Sequence, residues 1–285
     1  MASSQNFLSR LAASGLTPRH AGTAAPAGRG IGLTQIRNAT LHIDYAGTRF
    51  LVDPMLADRG SVIGLPGTPK RLHNPLVDLP FAVADIVDVD AVILTNLHPD
   101  HWDNVAKDSL HKSVPILAQN EADAATLRHE GFENVRVLKG NTRFRDLTLT
   151  RTEGSRPGPT IAKVAGELSG QVSGVVFRHS AERTLYLAGD TVWSDQVRQV
   201  LSSYQPEVII LNTGYAQMTG IGPVMMGAAD VAEVALAAPN ATIVASHMEA
   251  FSHCVLLRDD LRDFAEWEGF SDRLLIPLDG ERILV

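Results

Sequence analysis

Residues 90–103 read DAVILTNLHPDHWD, and the order of side chains within them decides the fold. Ala91 to Leu94 form a short apolar run that breaks at Thr95 into a loop carrying Asn96, His98, Asp100 and His101. A run of this length, rich in β-branched residues and bounded by turn chemistry, predicts a buried strand. In layered α/β folds, loops from distant parts of the chain converge at the carboxyl ends of such strands and build ligand sites there. The same signature occurs twice more: RTLYLAGD (183–190) ends in Asp190, and ATIVASH (241–247) ends in His247.

Working outward, NATLHIDYAGTRFLVDP (38–54) predicts strands that turn at Ala46-Gly47. After the DAVILT strand, helix and strand patterns alternate: WDNVAKDSL opens a helix, VPILAQ is a strand, and EADAATLRHEGF is a helix that stops near Gly131. The second half repeats the arrangement. SGVVFRH and RTLYLAGD are strands, followed by the helix SDQVRQVLSSY, the strand EVIILNTG and the helix GAADVAEVALAAP. ATIVASH, the helix LRDDLRDFAEWEGF and RLLIP, taken as the final strand, complete it. Strands first and βα units later, in both halves, predict an α/β layered fold with internal duplication. Residues 1–30 read as an N-terminal extension and 31–285 as a single domain. The Gly- and Pro-rich stretch from 53 to 80 is long for a connection within a compact domain and reads as an active-site cover.

Composition narrows the chemistry. The 285 residues are 45% hydrophobic, enough for a sizeable core, and the formal net charge of −7 leaves no basic surplus for a phosphate backbone. Nucleic acid is therefore excluded as the expected partner, and a small molecule is favoured. No apolar run approaches the roughly 18 residues of a membrane span. Cys254 is the only cysteine, so histidine and carboxylate must supply any metal ligands. The first 43 residues carry Arg10, Arg19, Arg29 and Arg37 but no Asp or Glu, a composition shared with organelle transit peptides. Cytoplasmic location is the expectation and organelle targeting the alternative; the oligomeric state stays open.

A divalent cation needs three or four imidazoles and carboxylates around it, with a position open to water if it is catalytic. Three strand ends bearing Asn96, His98, Asp100, His101, Asp190 and His247 meet that need if they converge. Plainer readings stand beside this one. His42 within a strand reads as structural, and His20, His111, His129 and His179 as surface residues. Asp190, followed by Thr191, has the chemistry of a helix N-cap. A G-x-S-x-G nucleophile elbow and a phosphate-binding loop are both missing from the sequence.

With these residues assembled, the chain resembles the metallo-β-lactamase superfamily, and within it the hydrolases similar to L-ascorbate-6-phosphate lactonase. NATLHIDYAGTRFLVDPML, NLHPDHWD, LYLAGDTVW and SHMEAFSHC carry the resemblance. It implies an αββα sandwich with a two-metal site at one edge of the sheets. Where the family has H-x-H-x-D-H, this chain has Asn96-Leu97-His98-Pro99-Asp100-His101. The next family ligand, a loop histidine, aligns with Arg156 in LTRTEGSRPGP, a stretch without histidine. One implied metal position is thus left with His98 and a share of Asp190, while the other keeps Asp100, His101, His247 and Asp190. A guanidinium about 5 Å from a dication costs several kcal/mol even at an effective dielectric near 20, so Arg156 and a first-site ion exclude each other.

The resemblance therefore implies a hydrolase with one divalent ion, zinc, or else manganese or iron. Asp100, Asp190 and His98 are the expected catalytic groups. Asn96, Arg156 and His253 are expected to hold a small lactone, ester or phosphoester, anionic groups included. Two other functions stay open: a degenerate member that binds a small molecule or partner without turnover, and non-hydrolytic metal chemistry at iron or manganese.

Overall fold

A computed structural model describes residues 30–64, 68, 72–155, 172–218 and 222–285. The N-terminal extension and Arg156 lie outside the described residues. The first sheet holds β1 (Gly32–Arg37), β2 (Thr40–Tyr45), β3 (Thr48–Val52), β4 (Ala91–Leu94), β5 (Ile116–Ala118) and β6 (Val135–Val137). The second runs through β7 (Thr142–Phe144), β8 (Leu147–Glu153), β9 (Ser173–His179), β10 (Glu182–Leu187) and β11 (Val208–Asn212). A small ribbon, β12 (Gln217–Met218) with β13 (Gly222–Pro223), precedes β14 (Thr242–Ser246) and β15 (Leu274–Leu275), which finish the second sheet. RLLIP is not the last strand. The chain continues to β16 (Arg282–Leu284), which crosses back to pair with β1 at the edge of the first sheet.

That crossing makes the duplication regular. In the order β16-β1-β2-β3-β4-β5-β6, the first three pairings are antiparallel and the last three parallel. The order β7-β8-β9-β10-β11-β14-β15 repeats that sequence of senses. At Ala46 and Gly47 both φ angles are positive, 48° and 74°, the conformation that a two-residue hairpin loop needs to match strand twist.

Alternation along the strands sorts side chains into layers. Phe50 and Val52 point between the sheets with Ile93, Leu149, Phe177, Leu187 and Ile210. Leu51, between them, joins Val92, Leu94 and Ile116 on the outer face. There they meet Trp102, Ala106 of helix α2 (Asn104–Ser109) and Leu127 of α3 (Glu121–His129), with Ile86 of the short α1 (Val83–Ile86). On the far side, Ile209, Leu211 and Ile243 pack against Val197 of α4 (Asp195–Tyr204), Val231 of α5 (Ala228–Ala237) and Leu261 of α6 (Arg258–Glu268). Each such aliphatic or aromatic side chain contributes about 1.5–3 kcal/mol by leaving water. Four layers, helix–sheet–sheet–helix, are the result.

The expected cover is a strap stitched to its surroundings where it is described. Asp103 accepts from the backbone N–H groups of Leu56 and Ala57 at 2.8 and 2.6 Å while also capping α2. The buried Arg37 guanidinium donates to the carbonyls of Met55, Ala57 and Val77. Met55 and Ala57 then pack on Ala250, Phe251 and Cys254.

Candidate metal centre

Three strand ends bring their polar residues together. Asp100 and His101 follow β4, Asp190 follows β10 and His247 follows β14, and all four are buried. Asp100, His101 and His247 each offer a ligand atom, and the three atoms lie within 4.8 Å of one another. His101 Nε2 and His247 Nε2 face each other at 3.2 Å. Asp190 reaches the same point, with Oδ2 at 3.0 Å from His101 Nε2 and Oδ1 at 3.9 Å from His247 Nε2. Asp100 Oδ2 stands 3.6 Å from His247 Nε2 and 3.3 Å from His253 Nε2.

What aims these groups lies behind them. His101 Nδ1 is 2.9 Å from Asp53 Oδ2, so the Nδ1 proton rests on Asp53 and Nε2 turns toward the cluster. Asp53 is itself fixed by the Thr95 backbone N–H at 2.8 Å and the Thr95 hydroxyl at 2.6 Å. Asn212 donates from Nδ2 to Asp190 Oδ1 at 2.8 Å. Asn38 ties two loops together: its side chain donates to the Asp100 carbonyl, and its own carbonyl accepts from the His247 backbone N–H. His247 Nδ1 lies 3.5 Å from Cys254 Sγ.

Asp53, Asn212, Asn38 and Cys254 are neighbours of the cluster that the sequence reading did not place there. Two of them carried a usable signal. Asp53 follows the apolar end of β3 and Asn212 ends β11, the same pattern that singled out Asp190 and His247.

Charge inside the cluster points to a cation. Burial opposes protonation of His101, but Asp190, Asp53 and Asp100 outweigh it and hold its pKa well above the usual imidazole value. Burial likewise opposes charge on His247, yet Cys254, Asp100 and Asp190 raise its pKa to about 10. For His253 the same opposition is overcome by Cys254 and Asp100, again to about 10. Burial pushes the Asp100 carboxyl up, and the facing histidines bring it well below the ordinary value. Three buried carboxylates thus demand positive charge between them, which protons supply here and a bound divalent ion would supply in their place. The donor set, two imidazole nitrogens converging with carboxylate oxygens, fits zinc, manganese or iron(II).

The remaining expected site residues fall as follows. His253 joins the cluster through Asp100. Asn96 is buried beside it, but its Oδ1 accepts from the His98 backbone N–H at 3.0 Å and its Nδ2 donates to Thr95 Oγ1 at 3.4 Å. His98 is half-buried, its ring 6.4 Å from that of His101. Asp190 is no helix cap, because Ser194 accepts from Val197 and caps α4. His42 is a core residue whose Nε2 lies 2.7 Å from the Ile86 carbonyl oxygen. His111 and His129 are exposed, and His179 is half-buried against Asp146. Among the described residues no helix is long and apolar enough to cross a membrane.

The family described as the beta-lactamase superfamily domain matches residues 48–248. This chain belongs to that superfamily and, within it, to the UPF0173 family, other members of which are described as metal-dependent hydrolases. It is 45% identical over 252 residues to UPF0173 protein YddR of Bacillus subtilis (strain 168), covering 87% of this chain and 98% of YddR. Among solved structures, an isothiocyanate hydrolase from Delia radicum gut bacteria superposes with a TM-score of 0.86 at 46% identity, over 88% of this chain and 98% of that one. A protein of Veillonella parvula DSM 2008, described as a possible metal-dependent hydrolase, gives 0.87 at 38% identity, over 90% of this chain and 100% of its own.

Proposed function

We propose that the protein is a hydrolase that uses one divalent ion, zinc, or else manganese or iron, to add water to the electrophilic carbon of a small isothiocyanate. Asp100, His101 and His247 hold the ion with Asp190, and the observation that carries this reading is the approach of the first three ligand atoms to within 4.8 Å of one another. When bound, the ion supplies a Lewis acid and lowers the pKa of water toward about 7. Asp53 keeps the His101 Nδ1 proton away from the ion-facing nitrogen. Asp190, steadied by Asn212 on Oδ1, takes the proton of the attacking water on Oδ2. His98, half-buried beside the cluster, gives the nitrogen its first proton and is recharged by the proton held on Asp190; the nitrogen takes its second from the O–H of the resulting thiocarbamic acid as the C–N bond breaks.

The balance is simple: R–N=C=S and one water give an amine and carbonyl sulfide. The substrate class rests on 46% identity to an isothiocyanate hydrolase over nearly its full length. In this reading Asn96, His253 and Arg156 border the substrate.

Elemental analysis of the purified protein, with amine release from an aryl isothiocyanate before and after chelation, tests the proposal. One ion per chain and turnover that chelation abolishes and metal restores are expected. A protein that neither carries nor takes up an ion overturns the hydrolase. Faster metal-dependent turnover of lactones or phosphodiesters overturns the substrate class, and metal binding without turnover of any of them points to a binding-only member.

A further inference from the structure

We propose that Cys254 is the positioning residue of His247: its sulfur accepts the Nδ1 proton and so fixes the tautomer in which Nε2 is left as the ligand atom. The inference rests on the reading of His247 as a ligand and adds a residue to it.

The two ligand imidazoles need the same thing from their far sides. A histidine binds a metal through one nitrogen only if the other carries the proton, and an acceptor behind the ring decides which nitrogen that is. For His101 the acceptor is Asp53. For His247, the sulfur of Cys254 at 3.5 Å is the only partner of Nδ1 among the described residues. The opposite arrangement, with S–H donating to Nδ1, would put the proton of His247 on Nε2. It would then point at His101 Nε2, 3.2 Å away, where the ion is to sit.

The backbone is shaped to make this contact. His247 adopts a left-handed conformation, φ 59°, which a non-glycine residue holds only when its surroundings fix it. Its backbone N–H is held by the Asn38 carbonyl. Its own carbonyl packs over Gly214, where a Cβ would stand 2.3 Å from His247 O and 2.7 Å from Cys254 Sγ. Gly214 therefore leaves the space in which His247 and Cys254 meet. Cys254 is 7% exposed and sits among Met55, Ala57, Ala250 and Phe251. A carboxylate in that apolar place would be a fourth beside Asp53, Asp100 and Asp190, whereas a sulfur accepts the Nδ1–H hydrogen bond there with little desolvation cost.

The test compares Cys254→Ala and Cys254→Ser with wild type and His247→Ala in the full chain. Ion affinity is read by competition with a chromophoric chelator and ligand geometry by the visible spectrum of the cobalt-loaded protein. Cys254→Ala is expected to lower affinity about 10–100-fold and to alter the cobalt spectrum, and Cys254→Ser, which keeps an acceptor, to recover most of the loss. Unchanged affinity and spectrum in Cys254→Ala, with the ion lost in His247→Ala, overturns the proposal and leaves the metal site standing. Full affinity in His247→Ala overturns the metal-site reading instead. Imidazole nitrogen shifts of zinc-loaded wild type give a result that needs no variant: a protonated Nδ1 on His247 supports the assignment, and an unprotonated one refutes it.

Discussion

His98 and His101 lie three residues apart in one loop, yet they belong to two different regions of the pocket. Around His101 the ion-facing groups are held from behind: His101 by Asp53, Asp190 by Asn212, and both Asp100 and His247 by Asn38. Around His98 the neighbouring Asn96 turns its acceptor onto the His98 backbone N–H and its donor onto Thr95, within its own loop. The proposed ligands therefore share a visible feature besides residue type: each is tied to a partner on another segment.

Breaking the supported region should have the largest effect. His101→Ala and His247→Ala each remove a converging imidazole. Ion affinity should fall by more than the roughly 10–100-fold that outer partners cost, and turnover to background. Elemental analysis after dialysis checks the first and the isothiocyanate assay the second. One step back, Asp53→Asn keeps size but frees the tautomer of His101. The expected loss is about 10–100-fold in ion affinity, measured by chelator competition.

Titration of the metal-free protein probes the same region. The pKa of His247 and His253 is about 10 in the folded chain and that of His101 lies well above its usual 6.5. Their protonation stabilises the fold fully below about pH 6.5 and is lost as pH rises toward about 10. Cys254, which burial pushes up and His253 and His247 draw down to about 7, opposes that trend between about pH 7 and 9, but one thiol faces three imidazoles. The melting temperature of chelated protein should therefore fall from pH 6.5 to pH 10. Ion affinity should rise over the same span, because binding releases those protons.

The smallest effect on the first ion should come from the region around Asn96. Asn96→His alone should change affinity for the first ion by less than about threefold, since no partner aims the new ring. Combined with Arg156→His it should raise the count from one ion to two, read by elemental analysis. A count that stays at one shows that the second position lacks more than its two histidines.

Much of this was legible in the sequence because a strand end announces itself: an apolar run stops and a polar residue follows. Asp100, His101, Asp190 and His247 were singled out that way and the structure brings them together, and the same strand pattern gave the layered fold. Asp53 and Asn212 end apolar runs in the same way, in FLVDP and VIILN, and the signal alone would have reached them. Cys254 could not be read, because its contact depends on the left-handed turn at His247 and on Gly214, forty residues back in the chain by sequence. β16 escaped for a different reason: Arg282, Ile283 and Leu284 are too few to show an alternating pattern, and only the free edge of β1 gives them a place.

That edge has a consequence for the order in which the molecule can be made. Among the described strands β1 is made first and β16 last, so the flank of β1 stays unpaired until every other strand of the two sheets has been made. His247 is made late as well, so the proposed metal site forms no sooner than the strands beside it. A nascent chain stalled before residue 282 would leave the longer β1, in place of the short β16, as the edge of the first sheet, a strand onto which a copy of the chain could pair.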